Sequence, residues 1–281
     1  MRLATVSRPG GGTGAAVKRG DAWHALPAPD LSALLRTGGA DALAQARTQA
    51  QAQTRAGEEI VGAVPVLPLP APAKVLCCGL NYAEHIHEMG RELPSHPTLF
   101  AKFADTLAGP RDDLVLPRGL QVDWEAELAV VVGAPLRRAD RATALAGIAG
   151  YTVANDVSVR DWQNRTTQWL QGKAWDRSCP VGPELVTPDE VDPAAGLEVV
   201  CRVNGEEVQR ASTRTLVFDA ADLLAYVSTF TLLRPGDLVL TGTPGGVGAA
   251  RDPQRFLADG DVLETSIEGI GTLRNTVRFT P

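Results

Sequence analysis

The rhythm of apolar and polar positions changes three times along the chain. Residues 3 to 27 hold short alternating segments, LATVS, GAAVKRG and DAWHALP, separated by glycines, and predict a small strand meander. Residues 30 to 58 change character: ADALAQARTQAQAQTRAG is rich in Ala and Gln and predicts an exposed helix with Asp30 as its N-cap. PVLPLPAPA, around residues 64 to 71 and their flanks, packs four prolines into a short span, which predicts a stiff connector. The domain boundary is placed there, with a small N-terminal α+β domain at residues 1–70 and a larger domain at 71–281. Beyond it, short apolar runs recur between turn signals: KVLCCG, TLFAKF, ELAVVVG, AGYTVAN, LEVVCRV, DLVLTG, DVLETSI and TLRNTVRF. In VNGEEV, Asn204-Gly205 marks a tight hairpin turn. Two stretches, roughly 157 to 170 and 219 to 231, predict helices. Strands outnumber helices without alternating with them, which predicts an α+β fold and excludes a Rossmann fold or a TIM barrel.

Composition adds bounds. The chain has 281 residues, 44% hydrophobic and 21% charged, enough to form a core without disulfide or metal staples. A net charge of −6 lacks the footprint of a nucleic-acid binder and does not attract anionic membranes. An anionic substrate would therefore need local positive charge from a metal, Arg or Lys. Cys77, Cys78, Cys179 and Cys201 form no CxxC pair, which excludes a zinc site and a disulfide framework and fits a reducing cytoplasmic setting. No apolar run approaches the ~20 residues of a membrane span, and MRLATVSRPGGG lacks the apolar stretch of a signal peptide.

Five places carry candidate chemistry. Glu125-x-Glu127 precedes the run LAVVVG; on a strand, period two puts both carboxylates on one face. Such a pair repels unless a cation sits between or one member is protonated, although a solvent-facing strand edge has the same spelling. Asn155-Asp156 ends the run GYTVAN and is followed by Arg160 and Gln163. Asp156 reads either as a helix cap or, with Arg160 at +4 and Gln163 at +7 on the same helix face, as part of a polar constellation. His85 and Glu88 are spaced i, i+3, where a carboxylate would raise the basicity of the imidazole, or form an ordinary surface pair. Lys173 lies near Trp162, Trp169 and Trp175, where a lysine often only snorkels. TGTPGGVG, residues 241 to 248, follows the strand DLVL and offers backbone N–H groups and hydroxyls to an anion; it lacks the P-loop spelling.

In order, GLNYAEHIHEM, TLFAKFADTLAGP, VDWEAELAVVVG, GYTVANDVSVRDWQ, GKAWDRSCPVGP, VNGEEVQRAST and LRPGDLVLTGTPGGVG resemble the fumarylacetoacetate hydrolase family over roughly residues 75 to 280. The resemblance implies a mixed, rolled β-sandwich with flanking helices, usually a homodimer. It implies Mg²⁺ or Mn²⁺ bound by Glu125, Glu127 and Asp156. It implies Lys173 as the active-site lysine and His85 and Glu88 as a dyad on a mobile helix. Arg160, Gln163 and Thr243 would hold the substrate carboxylate or an oxyanion. Hard divalent cations favour such oxygen donors, and a metal-stabilised enolate is what leaves when the C3–C4 bond of a 2,4-dioxo acid breaks. The implied activity is hydrolysis of such an acid, an acylpyruvate, to pyruvate and a carboxylic acid. Its alternatives are decarboxylation or isomerisation of a 2-oxo diacid of the oxaloacetate or 2-hydroxyhepta-2,4-diene-1,7-dioate type, and a non-catalytic metal-binding scaffold. The loop RELPSHP and the N-terminal domain are expected to set specificity, and residues 84 to 97 to act as a mobile lid.

Overall fold

The computed structural model describes residues 1–51, 57–83, 86 and 92–281. The apolar runs become strands of two sheets. The larger sheet contains β1 (Arg2–Ser7), β2 (Thr13–Arg19), β3 (Ala22–Ala25), β4 (Val64–Pro65), β5 (Val75–Gly79), β6 (Thr98–Lys102) and β7 (Leu107–Ala108). It continues through β10 (Ala126–Val132), β11 (Ile148–Asn155), β13 (Cys179–Val186) and β16 (Leu238–Leu240) in the order β3-β2-β1-β13-β11-β10-β16-β5-β6. The smaller sheet has the order β15-β14-β17-β18-β8, from β8 (Leu114–Pro117), β14 (Glu198–Val203), β15 (Glu206–Ser212), β17 (Val262–Ile267) and β18 (Gly271–Thr280). Two short strands, β9 (Val122–Asp123) and β12 (Ser158–Val159), pair with each other. The pairing is mixed: β16 runs parallel to β5, whereas β10 is antiparallel to both β11 and β16. The fold is α+β with few, mostly short helices.

Period two explains how the layers stack. Along β10, Leu128, Val130 and Val132 point into a core shared with Val199, Cys201, Leu263 and Leu273 of the smaller sheet. Ala129 and Val131 point the other way, into a second core with Leu31, Leu34 and Leu35. A strand buried on both faces reads as a continuous apolar run, which is how ELAVVVG is spelled. Glu127 lies on the second face and is buried with it.

The N-terminal meander joins the same sheet, because β1 pairs with β13 at Arg2↔Val186 and Leu3↔Leu185. Part of the proline-rich stretch is itself paired: Val64 and Pro65 bridge to Ser7 and Val6. Helix α1 (Leu31–Gln51) starts where expected, with Asp30 Oδ1 accepting the Ala33 N–H at 2.7 Å. It breaks at Gly39, whose φ of 47° is left-handed, and it is less exposed than its Ala/Gln spelling predicts, since Leu31, Leu34, Leu35, Ala42 and Ala46 are buried. Further helices are α2 (Arg141–Ala146), α3 (Arg160–Gln163), α4 (Leu170–Lys173) and α5 (Ala220–Phe230). The helix expected over 157–170 is thus two single turns, and α5 carries a reciprocal Asp219/Asp222 capping box. The predicted hairpin is present, with Asn204 and Gly205 both at positive φ between β14 and β15. No described helix is long and apolar enough to cross a membrane.

Candidate functional site

The antiparallel register of β10 and β11 builds the centre of the site. Ala126 pairs with Asn155, so the next positions outward, Glu125 and Asp156, face each other, and the Asp156 N–H donates to the Glu125 carbonyl at 2.8 Å. Asn155 Oδ1 accepts the Glu125 N–H at 2.9 Å and fixes that corner. Glu127 follows two residues on. One carboxylate oxygen from each of Glu125, Glu127 and Asp156 lies within 4.8 Å of the others, and all three residues are buried. The solvent-facing reading of the Glu125–Glu127 pair therefore fails. So does the cap reading of Asp156: α3 begins at Arg160, and its N-cap, Val159, makes no side-chain cap bond.

Two lysines close on Asp156 from opposite sides. Lys173, at the end of α4, donates to Glu125 Oε2 at 2.6 Å and to Asp156 Oδ2 at 2.8 Å. It is 2% exposed, so it does not snorkel. Lys102, the last residue of the edge strand β6, donates to Asp156 Oδ1 at 2.7 Å and to the Lys173 carbonyl. Burial disfavours the charge of each ammonium, but the facing carboxylates outweigh it and hold both lysines above their ordinary range. Burial also pushes Asp156 upward, and the two ammonium groups reverse that push and bring it below the usual carboxylate range. Glu127 has no such neighbour. Burial, then Asp156, then Glu125 push its carboxyl well above the ordinary value, against a weaker pull from Lys173. An all-oxygen donor set of three clustered carboxyl groups fits a hard divalent cation.

Arg160 stands beside this cluster. Its Nε donates to Asp123 Oδ2 at 2.8 Å, and its Nη1 reaches Glu125 Oε1 at 2.7 Å and Gln163 Oε1 at 2.8 Å. Its Nη2 is buried and has no partner among the described residues. Gly172 lets α4 sit on α3: a Cβ there would strike the Gln163 backbone, so Lys173 and the Arg160/Gln163 turn come together only with glycine between them. Arg160, Gln163, Lys173, Glu125 and Thr243 line one cavity of about 290 Å³.

The glycine-rich turn is used differently from its sequence reading. Its N–H groups point at the protein's own acids: Gly242 donates to Glu127 Oε2 at 2.6 Å, Gly248 to Asp123 Oδ1 at 2.7 Å and Ala249 to Asp123 Oδ2 at 3.0 Å. Thr243 alone among the turn's hydroxyl side chains reaches the cavity wall, with its Oγ1 accepting from Gln209 Nε2 at 2.9 Å. His85 and Glu88 lie outside the described residues, as does most of the first half of the expected lid.

Lys102 and Asp123 are absent from the sequence reading. Asp123 had a signal: it precedes Glu125 and Glu127 at the same two-residue spacing. Lys102 had a weaker one, a charge ending the apolar run TLFAKF, and nothing local reveals that it meets Asp156.

A mixed-sheet α+β sandwich with a buried carboxylate cluster, countercharged by two buried lysines and set beside a cavity, defines the class of the molecule: an enzyme fold with an all-oxygen donor cluster positioned for a cation. The model of the fumarylacetoacetate (FAA) hydrolase C-terminal domain matches residues 74–278, and the chain belongs to that family. It is 48% identical to the human mitochondrial oxaloacetate tautomerase FAHD2A over 213 residues, 75% of this chain and 68% of that one. It is 44% identical to 2,4-didehydro-3-deoxy-L-rhamnonate hydrolase of Sphingomonas over 214 residues, 75% of each. Among solved structures, fumarylacetoacetate hydrolase from the psychrophile Exiguobacterium antarcticum superposes with a TM-score of 0.85 at 32% identity over the whole of both chains.

Proposed function

We propose that this chain is a divalent-cation-dependent enzyme of 2-oxo acids and that its main reaction is hydrolysis of the C3–C4 bond of a 2,4-dioxo acid. The observation that carries the proposal is the buried Glu125/Glu127/Asp156 cluster beside a cavity into which the Arg160 side chain opens. Those three carboxylates would hold Mg²⁺ or Mn²⁺. A bound cation of this kind supplies Lewis-acid stabilisation of negative charge on the 2-oxo oxygen.

The chain's own groups supply the rest. Arg160 Nη2 takes the substrate carboxylate, while Asp123, Glu125 and Gln163 fix the guanidinium plane. The Gln163 Oε1 accepts from Arg160, which leaves its amide N–H groups for the substrate. Thr243 Oγ1 accepts from Gln209 and so keeps its own hydrogen to donate. Lys173 uses two of its three donors on Glu125 and Asp156, and the third is available to the oxyanion formed at C4. The His85/Glu88 pair takes a proton from the attacking water. Water oxygen bonds to C4, the C3–C4 bond breaks, and C3 gains a proton to give pyruvate and a carboxylic acid.

The test is pyruvate release from acetylpyruvate by the purified chain. Turnover lost with a chelator and restored by Mg²⁺ or Mn²⁺ is expected. Turnover indifferent to chelation overturns the cation's role, and no turnover overturns the hydrolase assignment. The 48% identity to an oxaloacetate tautomerase favours a second reading, in which the same enolate is made without water on a 2-oxo diacid. Pyruvate release from acetylpyruvate measured against enol–keto exchange of oxaloacetate on the same preparation separates the two: exchange without pyruvate release favours the second reading.

A further inference from the structure

The cavity beside the acids is lined by the polar Arg160, Gln163 and Thr243 and by the apolar Leu80, Phe100, Trp169 and Val247. Phe100 and Trp169 meet edge to face, with centroids 5.6 Å apart at 70°. Trp169 is seated on Gly79, where a Cβ would run into the indole ring, so the backbone of β5 leaves a flat recess for it. The wall starts next to the chemistry, since Lys173 Nζ lies 4.9 Å from the centre of the Phe100 ring. Among the described residues lining the cavity, the cations are Arg160 and Lys173, and Lys173 is already bonded to two carboxylates. An apolar aromatic wall rewards a flat hydrocarbon and penalises a carboxylate that must shed water against it.

We propose, resting on the hydrolase reading above, that Phe100 and Trp169 form an acyl-group subsite selecting 2,4-dioxo acids with a flat apolar substituent on C4 over dioxo diacids. The substrate class is the aroylpyruvates. An aroylpyruvate and water give an arenecarboxylic acid and pyruvate: the new C4–O bond ends in the acid, and the proton released from water ends on C3. The substrate carboxylate and 2-oxo group face Arg160 and the acids, and the ring lies along Phe100 and Trp169. Part of the specificity assigned to the loop RELPSHP thus falls on β6 and on the segment leading into α4.

The experiment compares kcat/KM for benzoylpyruvate, acetylpyruvate and 2,4-dioxopentanedioate in the wild type, Trp169→Ala and Trp169→Phe. The wild type is expected to favour benzoylpyruvate over the diacid by about tenfold or more, within the range that apolar pockets achieve. Trp169→Ala should bring that ratio towards one, and Trp169→Phe should keep most of it. Binding of phenylpyruvate and pyruvate to the Mn²⁺-loaded wild type, measured by calorimetry, reads the wall without turnover or substitution, and phenylpyruvate should bind about tenfold more tightly. Equal binding of the two, a preference for the diacid, or a ratio untouched in Trp169→Ala overturns the subsite. Tight phenylpyruvate binding with no turnover of any dioxo acid supports the subsite and overturns the hydrolase reading alone.

Discussion

Replacing Glu127 by Gln should stabilise the cation-free protein, and the gain should grow with pH. Glu127 shares with Glu125 and Asp156 a space in which their nearest oxygens lie within 4.8 Å. At an effective dielectric of about 20, each such like-charge pair costs about 3.5 kcal/mol. Lys173 offsets part of this, and burial adds to it, so the Glu127 carboxyl holds its proton well above the ordinary range. A carboxyl raised in the folded state contributes stability that is complete below its unfolded value, about 4.3, and is lost as pH rises towards the folded value. Within that window the wild type loses about 1.4 kcal/mol per pH unit from this group. Gln has the same shape, can still accept the Gly242 N–H, and carries no titrating proton.

The difference in unfolding free energy between Glu127→Gln and the wild type should therefore be larger, in favour of the variant, at pH 7 than at pH 5. Urea unfolding at those two pH values in the presence of a chelator measures it. Mg²⁺ or Mn²⁺ at about 100 times its dissociation constant should return about 2.7 kcal/mol to the wild type and much less to the variant. A difference that does not move with pH, or that moves against the variant, refutes the reasoning: Glu127 would then ionise as freely as a surface acid.

Two further substitutions address groups that were not evident before the fold was assembled. Lys102→Met leaves one Asp156 oxygen facing a methyl group in a fully buried pair, and the loss of one member of such a pair should cost about 3–5 kcal/mol in urea unfolding; a cost under about 1 kcal/mol shows that Lys173 alone compensates Asp156. Asp123→Asn removes the charge that holds Arg160 Nε and two N–H groups of the 248–249 turn, so steady-state kinetics on a 2-oxo acid should show KM rising about tenfold or more with a smaller change in kcat; an unchanged KM would mean that Arg160 is aimed without it.

What was legible in the sequence is what local rules control. The eight apolar runs became strands because each alternates or is continuously apolar over a few residues, and the hairpin at Asn204-Gly205 needs only two left-handed positions. Strand β13 was not legible, although it sits between β1 and β11, because Pro180 and Pro183 mark a break in any local reading. Its partners supply pairing at the positions the prolines leave open. The two-residue strands β4, β7, β9 and β12 have no periodicity to detect. The N-terminal strands read as a unit apart because composition changes at the prolines, yet their apolar side chains, Leu3 and Val17 among them, pack into a core with Val131 and Leu185.

The site divides along the same line. Glu125, Glu127 and Asp156 were visible as residues, because acids flanking apolar strands stand out, but their convergence depends on the β10–β11 register, a contact between positions about thirty apart. The cations that make the cluster tolerable come from other elements, Lys102 from an edge strand and Lys173 from a single helical turn. The glycine-rich turn shows why spelling and role part company. Its N–H groups suit an anion, as the composition implied, but the anions it meets are Glu127 and Asp123 of the chain itself. The turn therefore aims two acids, one into the carboxylate cluster and one onto Arg160. A loop that looks like a ligand cradle acts here by positioning the groups that would do the cradling, and only the assembled fold distinguishes the two.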